Sequence, residues 1–399
     1  MVTGDGARGP PAKEVGPPVM ALTLSALAIW LYLLAARGGF WLCRERDGWE
    51  ASVSSPFPRV AAIVPARNEA VTIGESIGSL LRQDYRGPWM VILVDDDSRD
   101  GTPEVAGGTA RGSERLRVVR TGALPAGWTG KLWALSHGIE TAMALPHPPD
   151  YLLLTDADIV HPPDSVRRLV AHTQGNGLVL TSLMVKLRCE TFAERASVPA
   201  FVFFFQMLYP FAWVNRPRSA DAAAAGGCML VQADALRNAG GIEAIRSALI
   251  DDCALAKSLK RIGPIWLSLT DRVRSVRAYP AFADIRRMVV RSAYAQLRYS
   301  PLMLLAAVAG MAVTFCAAPV LTLFAGGLAR LVALTTWILM AIAFQPTLRF
   351  YRLSPLWGVA LPAIALLYMI FTLDSAYQYA RGRGGTWKGR VQADRSGTR

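Results

Sequence analysis

Four runs of apolar residues restrict what this chain can fold into more than any other feature. The first, "VMALTLSALAIWLYLLAA" at 19–36, holds 18 uncharged residues. At 1.5 Å per residue that is enough to cross the hydrocarbon core of a bilayer. Three more runs, 302–328, 331–348 and 356–373, crowd the other end, separated by Arg330 and by Arg349 and Arg352. A soluble core rarely needs three such runs in close succession. The expectation is an integral membrane protein with one span (19–36) before a polar middle and about three spans (300–376) after it.

A cleaved signal peptide competes for the first run, because Arg8 and Lys13 precede it. No small-x-small cleavage site follows, and Arg37, Arg44 and Arg46 resemble a cytoplasmic stop. A further apolar stretch, "SVPAFVFFFQMLYPFAWV" at 197–214, contains Pro199, Gln206 and Pro210; an interfacial helix suits it better than a fifth span. The polar middle is flanked by Arg37, Arg44 and Arg46 and by Arg286, Arg287, Arg291 and Arg298, which predicts a cytoplasmic domain on an inner membrane. Three later spans would then put the basic tail, with Arg381, Arg383, Lys388, Arg390, Arg395 and Arg399, on the opposite side, against the same rule. Either one C-terminal segment is re-entrant or the topology is unusual.

The excess of 43 Lys and Arg over 30 Asp and Glu, +13 in all, suits an anionic membrane, an acidic substrate or nucleic acid. Nucleic acid has only composition behind it, since Trp387 alone interleaves aromatic surface with the basic tail. The five cysteines (43, 189, 228, 253 and 316) show neither paired nor metal-thiolate spacing, as expected of free thiols in a reducing compartment. Residues 1–18 and 377–399 are rich in Gly, Pro and Arg and are expected to be disordered. Oligomeric state leaves no sign in the sequence.

Between about Pro56 and Tyr279 the pattern changes. "VAAIVP", "MVILVD" and "YLLLTD" are β-type runs of strands covered on both faces, and helical stretches over 70–83 and 131–144 lie between them. This alternation predicts an α/β domain with a mainly parallel sheet. Each run ends in polar residues: Arg67, Asn68 and Glu69; Asp95 to Asp97; Asp156 and Asp158. Ligands of open α/β sheets sit outside the carboxyl ends of strands, so these groups are expected to share a site. "DAD" sets two carboxylates on alternate positions, a spacing that suits a hard divalent cation touching phosphate oxygens; a capping turn is the plainer alternative.

"VPARNE", "VDDDSRDGT", "GKLWALSHGIE", "TDADI" and "GGCMLVQADALRNAGGIEAIRSALIDDCALAKSLKRIG" resemble, in order and spacing, the family 2 inverting glycosyltransferases, over about 57–300. The resemblance implies a GT-A nucleotide-sugar fold over 57–285. Within that family, "GWTGKLWALSHGI" and "LIDDCALAKSLKRIGPIWLSLT" look like the hopene-associated enzymes of bacterial hopanoid synthesis. It implies a UDP-linked sugar passed to a hopanoid or isoprenoid lipid; another lipid, a polysaccharide, or a non-catalytic scaffold are the alternatives.

The resemblance also assigns roles. Pro65, Arg67, Glu69, Asp95 and Asp96 would hold the nucleoside. Asp156 and Asp158 would hold Mg²⁺ or Mn²⁺ on the diphosphate, with Lys131 adding positive charge unless it is a solvated helix-start lysine. Asp252 would be the base, beside Asp251 where the family has Glu; the alternative is a pair capping the helix that follows. Gly226, Gly227 and Cys228 would line the acceptor side. "DSRDGT" reads as a turn and helix cap. Many membrane-bound relatives carry Q-x-x-R-W before the C-terminal spans. Here "RRMVVRSAYAQLRYSP" offers Arg291 as the best match to its arginine and Gln296 as a downstream glutamine. A basic interfacial helix accounts for the same residues.

Overall fold

The computed structural model describes residues 16–49, 55–387 and 390–391. The N-terminal segment up to Val15 and the last residues of the basic tail, both expected to be disordered, lie outside the described residues.

The expected strands form, and five more join them: β1 (Val60–Ala66), β2 (Trp89–Asp95), β3 (Leu116–Arg120), β4 (Tyr151–Thr155), β5 (Ile159–Val160), β6 (Leu180–Lys186), β7 (Cys228–Gln232) and β8 (Ile265–Ser275). They make one sheet in the order β3-β2-β1-β4-β7-β6-β8-β5. The half containing β3, β2, β1 and β4 is parallel throughout. In the other half β7 is antiparallel to both β4 and β6, β6 and β8 are parallel, and β5 pairs antiparallel with β8. The first four strands thus have the expected orientation, and the second half is mixed.

Two of these arrangements prepare a site. The chain leaves β1 for β2 and β3 on one side and returns to β4 on the other, so the strand order reverses at β1/β4, where a crevice opens at the carboxyl ends. Because β7 runs against β4, with Cys228 opposite Thr155, its first residues sit at that same end. Helices cover both faces. The Ala70–Leu81 helix buries Ile73, Ile77 and Leu80 on one face. On the other, the Gly130–Met143 helix crosses β1 and β2 at Gly138, where a Cβ would stand 2.4 Å from Ile63 and 2.8 Å from Val94; only glycine allows that approach.

Among the described residues five helical segments are long and apolar enough to cross a membrane: Pro17–Ala35, Phe192–Val214, Pro301–Phe324, Gly327–Phe350 and Leu361–Ala380. Four coincide with the expected runs. The Phe192–Val214 segment is interrupted at Tyr209 and Pro210, and Phe203 in it is fully buried against Phe40 and Phe344. Its neighbour Phe204 packs on Phe315 and Tyr368. A π-helical turn at Ala312–Cys316 interrupts the α-helical pattern of the Pro301–Phe324 segment, and within it Thr314 O accepts from the Trp30 indole at 2.7 Å.

After Phe350 the chain doubles back along its own helix. Gln345 donates to Pro355 O and Trp337 to Val359 O, each at 3.1 Å, so 355–359 follows the Gly327–Phe350 helix in reverse for about 12 Å. The Leu361–Ala380 helix then climbs toward the α/β domain. Near its carboxyl end Asp374 pairs with Arg286 at 2.7 Å, Ser375 Oγ donates to Val290 O at 2.6 Å, and Tyr379 stacks on Tyr299 at 4.4 Å. Ala380 therefore lies at the end where the Pro301–Phe324 segment begins and the Gly327–Phe350 helix finishes.

Candidate active site

The carboxyl end of β4 delivers Asp156 and Asp158, and the amino end of the Asp251–Leu259 helix delivers Asp251 and Asp252. Lys131, at the start of the Gly130–Met143 helix, joins them: its Nζ lies 2.9 Å from Asp156 Oδ1 and 3.2 Å from Asp251 Oδ2. Thr129 caps that helix by accepting from Leu132 N. Burial opposes the charge on Lys131, but Asp156, Asp251 and Asp252 outweigh it and hold the ammonium well above its ordinary range. The lysine is a member of the cluster and not a solvated helix-start residue.

Asp252 is gripped at both oxygens. Gly226 N donates to Oδ2 at 3.0 Å and Cys253 N to Oδ1 at 2.7 Å. Burial, and then the neighbouring Asp251, push its carboxyl up to about 6, against the opposing pull of Lys131 and the two N–H groups. A group that titrates close to neutrality is suited to take a proton. Gly226 is as close as the cluster permits: a Cβ there would meet Lys131 Nζ at 3.2 Å and Asp252 Oδ2 at 3.4 Å. Gly227 offers its carbonyl to Thr155 Oγ1 at 2.8 Å, and Cys228 is fully buried in β7. Of the three residues expected on the acceptor side, Gly226 borders the cluster directly.

Asp158 takes a different set of partners. Its Oδ2 accepts from Ser275 Oγ at 2.6 Å and from Arg277 Nε at 3.2 Å. The same guanidinium reaches Glu69 Oε1 at 2.6 Å, linking the end of β1 to the end of β4. Burial works against its charge, yet Asp158 and Glu69 raise Arg277 further above its usual value. Tyr279 nearby is pushed up to about 12, mainly by burial; the charges of Arg277, Asp158, Arg291 and Asp156 also act on it. Arg291, the cap that ends the Phe282–Val290 helix, lies near enough to Tyr279 to act on it.

At the end of β2, Asp95 and Asp96 are almost wholly buried, 2% and 1% exposed. Arg67 pairs with Asp96 at 3.5 Å, and Thr121 Oγ1 donates to it at 3.1 Å. Asp95 accepts from Ser98 N at 3.3 Å and faces Arg120 at 3.9 Å. Pro65 is buried within β1. Asp97 sits at φ +56, in the left-handed region. Asp100 accepts from Ala70 N and Thr102 N at 2.9 and 3.1 Å, which is the turn-and-cap role expected of it.

The donor set fits a divalent cation. Asp156 keeps 36% of its side chain open beside Asp158, and burial followed by the Asp158 charge raises its carboxyl despite Lys131. Four aspartates and Glu69 meet two close cations, Lys131 and Arg277. Such a surplus of carboxylate charge favours a hard cation bound by one or two carboxylates together with phosphate oxygens. Among the described residues no group of three His, Cys, Asp or Glu could hold a metal unaided.

Sequence reasoning missed Arg277, Ser275 and Thr121. "DRVRSVRAY" offers three arginines, Arg272, Arg274 and Arg277, and nothing local distinguishes the one that turns inward. Only the antiparallel pairing of Ile159 with Ser275 carries the end of β8 to Asp158.

Residues 61–240 match the sequence model of Glycosyl transferase family 2. A beta-monoglucosyldiacylglycerol synthase of Synechocystis sp. is 35% identical over 118 residues, 29% of this chain and 23% of that one. An N-acetylglucosaminyltransferase of Mesorhizobium japonicum is 33% identical over 145 residues, 35% of this chain and 32% of that one. The matched part thus spans a third or less of the length of these two relatives. A solved mannosyltransferase from Pyrobaculum calidifontis, in complex with GDP-Man and Mn²⁺, superposes with a TM-score of 0.53 at 19% identity, covering 89% of this chain and 99% of that one. That likeness establishes a GT-A fold.

Proposed function

We propose that this chain, which carries a family 2 glycosyltransferase domain at residues 61–240, is a membrane-bound inverting glycosyltransferase that moves a sugar from a UDP-linked donor to a lipid hydroxyl. The observation that carries the reading is the joining of Asp252, Gly226, Lys131 and Asp156 in one cluster at the strand ends. Nearby, the phenol of Tyr209, at the end of the apolar Phe192–Leu208 helix, contacts Cys253, the residue after Asp252. A lipid acceptor would approach from that apolar side.

In this reading the acceptor hydroxyl gives its proton to Asp252 as its oxygen attacks the anomeric carbon from the face opposite the diphosphate. The new C–O bond forms, the bond to the diphosphate breaks, and the electron pair leaves with the nucleoside diphosphate, inverting the centre. The N–H groups of Gly226 and Cys253 hold the base in one orientation. Lys131 faces the leaving group and stabilises its charge. Mg²⁺ or Mn²⁺, held by Asp156 and Asp158, would supply further neutralisation there. Glu69, with Asp96 and Arg67 behind it, would form the nucleoside wall, and Arg291 the outer edge of the diphosphate site.

A hopanoid or related isoprenoid lipid is the acceptor we infer, on the motif likeness at "GWTGKLWALSHGI" and "LIDDCALAKSLKRIG". The Synechocystis relative, by its name a diacylglycerol enzyme, favours diacylglycerol as the second reading. Lipid mass spectrometry of a strain lacking the gene against its parent tests both. A missing glycosylated hopanoid supports the first and a missing glycosyl-diacylglycerol the second; unchanged glycolipids with an altered water-soluble polymer would overturn the lipid acceptor. The basic flanks support a cytoplasmic domain on a bacterial inner membrane. With 355–359 re-entrant, the tail returns to the domain's side, which removes the conflict with the charge rule. Thiol labelling of a cysteine introduced at Gly384 tests it: labelling from the cytoplasmic face alone is expected, and labelling from outside intact cells would refute it.

A further inference from the structure

Arg277 plays no part in the chemistry above, yet it is the residue that ties the two ends of the donor crevice together. Its Nη2 lies 2.6 Å from Glu69 Oε1 and its Nε 3.2 Å from Asp158 Oδ2. Both carboxylates are otherwise pinned. Glu69 Oε2 accepts from Thr72 Oγ1 at 3.2 Å and Glu69 N donates to Thr102 Oγ1 at 2.8 Å; Asp158 Oδ2 also accepts from Ser275 Oγ, and Asp158 O from Val276 N at 2.9 Å. All three side chains are largely withdrawn from solvent, with Glu69 8%, Asp158 10% and Arg277 28% exposed.

We propose that Arg277 is a positioning residue that couples cation binding to nucleotide binding by occupying one oxygen of Asp158 and fixing Glu69 on the other side of the crevice. The inference rests on the glycosyltransferase reading and deepens it. With Oδ2 held by Arg277 and Ser275, Asp158 offers a cation one oxygen only. The fixed guanidinium charge also lies against that cation. Two carboxylates in this state bind a divalent ion weakly, and the site becomes strong once diphosphate oxygens complete the coordination. The same fork holds Glu69 where a nucleoside would meet it, a bidentate task that the single ammonium of lysine cannot perform.

The test uses the full chain in detergent and reads Mn²⁺ binding from the electron paramagnetic resonance signal of the free ion, with and without UDP. In the unsubstituted protein, Mn²⁺ is expected to bind weakly alone and much more tightly with UDP. In Arg277→Met the nucleotide-free affinity should rise roughly tenfold, because a repelling charge and a competing partner are gone, while UDP affinity falls and the enhancement between the two ligands shrinks. Arg277→Lys retains the charge but cannot span both carboxylates. It should keep the weak nucleotide-free Mn²⁺ affinity and still lose UDP affinity. Equal or weaker nucleotide-free Mn²⁺ binding in Arg277→Met, in protein whose thermal unfolding matches the parent's, would overturn the proposal. A parent protein that binds neither Mn²⁺ nor any nucleoside diphosphate would overturn instead the glycosyltransferase reading on which it stands.

Discussion

Two groups of carboxylates end the same half of one sheet, and they are built to opposite specifications. At the end of β2, the exposed Asp97 faces solvent and each buried or capping aspartate has its own partners: Asp95 has Ser98 and Arg120, Asp96 has Arg67 and Thr121, and Asp100 has Thr102 and the Ala70 N–H. At the end of β4, Asp156 and Asp251 share the one ammonium of Lys131, and Asp252, beside them, rests on two backbone N–H groups. The first group is satisfied by the protein and shapes a wall. The second is left with surplus charge in a partly desolvated place, which costs stability and is tolerated where a ligand will compensate it. Density of aspartates in the sequence points to the wrong group; the balance of partners distinguishes them.

Substitutions can break that comparison, beginning with the group in surplus. Asp252→Asn should lower turnover by about 10² to 10⁴-fold in labelled-sugar transfer while leaving UDP binding intact; full activity would remove the base from the mechanism. Chelation of divalent ions should cost on the order of 10²-fold, recovered by Mn²⁺ or Mg²⁺, and Asp156→Asn should abolish the recovery.

Acidity gives the next contrast. Asp252 works as a base only when ionised, and its carboxyl is raised to about 6. Activity should therefore be level above that pH and decline roughly tenfold per unit below it. An acid limb centred near 4 in a kcat/KM profile, which reports the free enzyme, would mean that burial does not tune this group. Gly226→Ala, which sets a methyl 3.2 Å from Lys131 Nζ and 3.4 Å from Asp252 Oδ2, should reduce kcat roughly tenfold by displacing the base. The smallest catalytic effect belongs to the satisfied group: Asp100→Ala removes the cap on Ala70 N and should lower stability by about 1 kcal/mol in thermal unfolding with kcat unchanged. A large loss of kcat there would erase the distinction between wall and centre.

The apolar part of the chain teaches a related lesson. Its runs at 19–36, 302–328 and 331–348 were legible because each is a contiguous stretch whose composition suffices to identify it. The direction of the Leu361–Ala380 helix was not, since composition is the same read either way. Trp337 bonding to Val359, and Asp374 pairing with Arg286, decide it through contacts between residues far apart in the chain.

The sequence by itself determined the strands that end in carboxylates, Asp156 among them, and the helices between them, because a strand's burial and a turn's chemistry are local properties; Lys131, Asp251 and Asp252 came from the family resemblance and not from any local pattern. It also located Gly226, without a reason for glycine there. Tertiary structure alone decided that Lys131 bridges two aspartates, that a methyl at Gly226 would crowd Lys131 and Asp252, and that Arg277, among several arginines, faces inward to Glu69 and Asp158. Those facts depend on an antiparallel β7 inserted beside β4 and on β5 pairing with the end of β8. Such pairings join segments more than seventy residues apart, and no local pattern encodes which segments will meet.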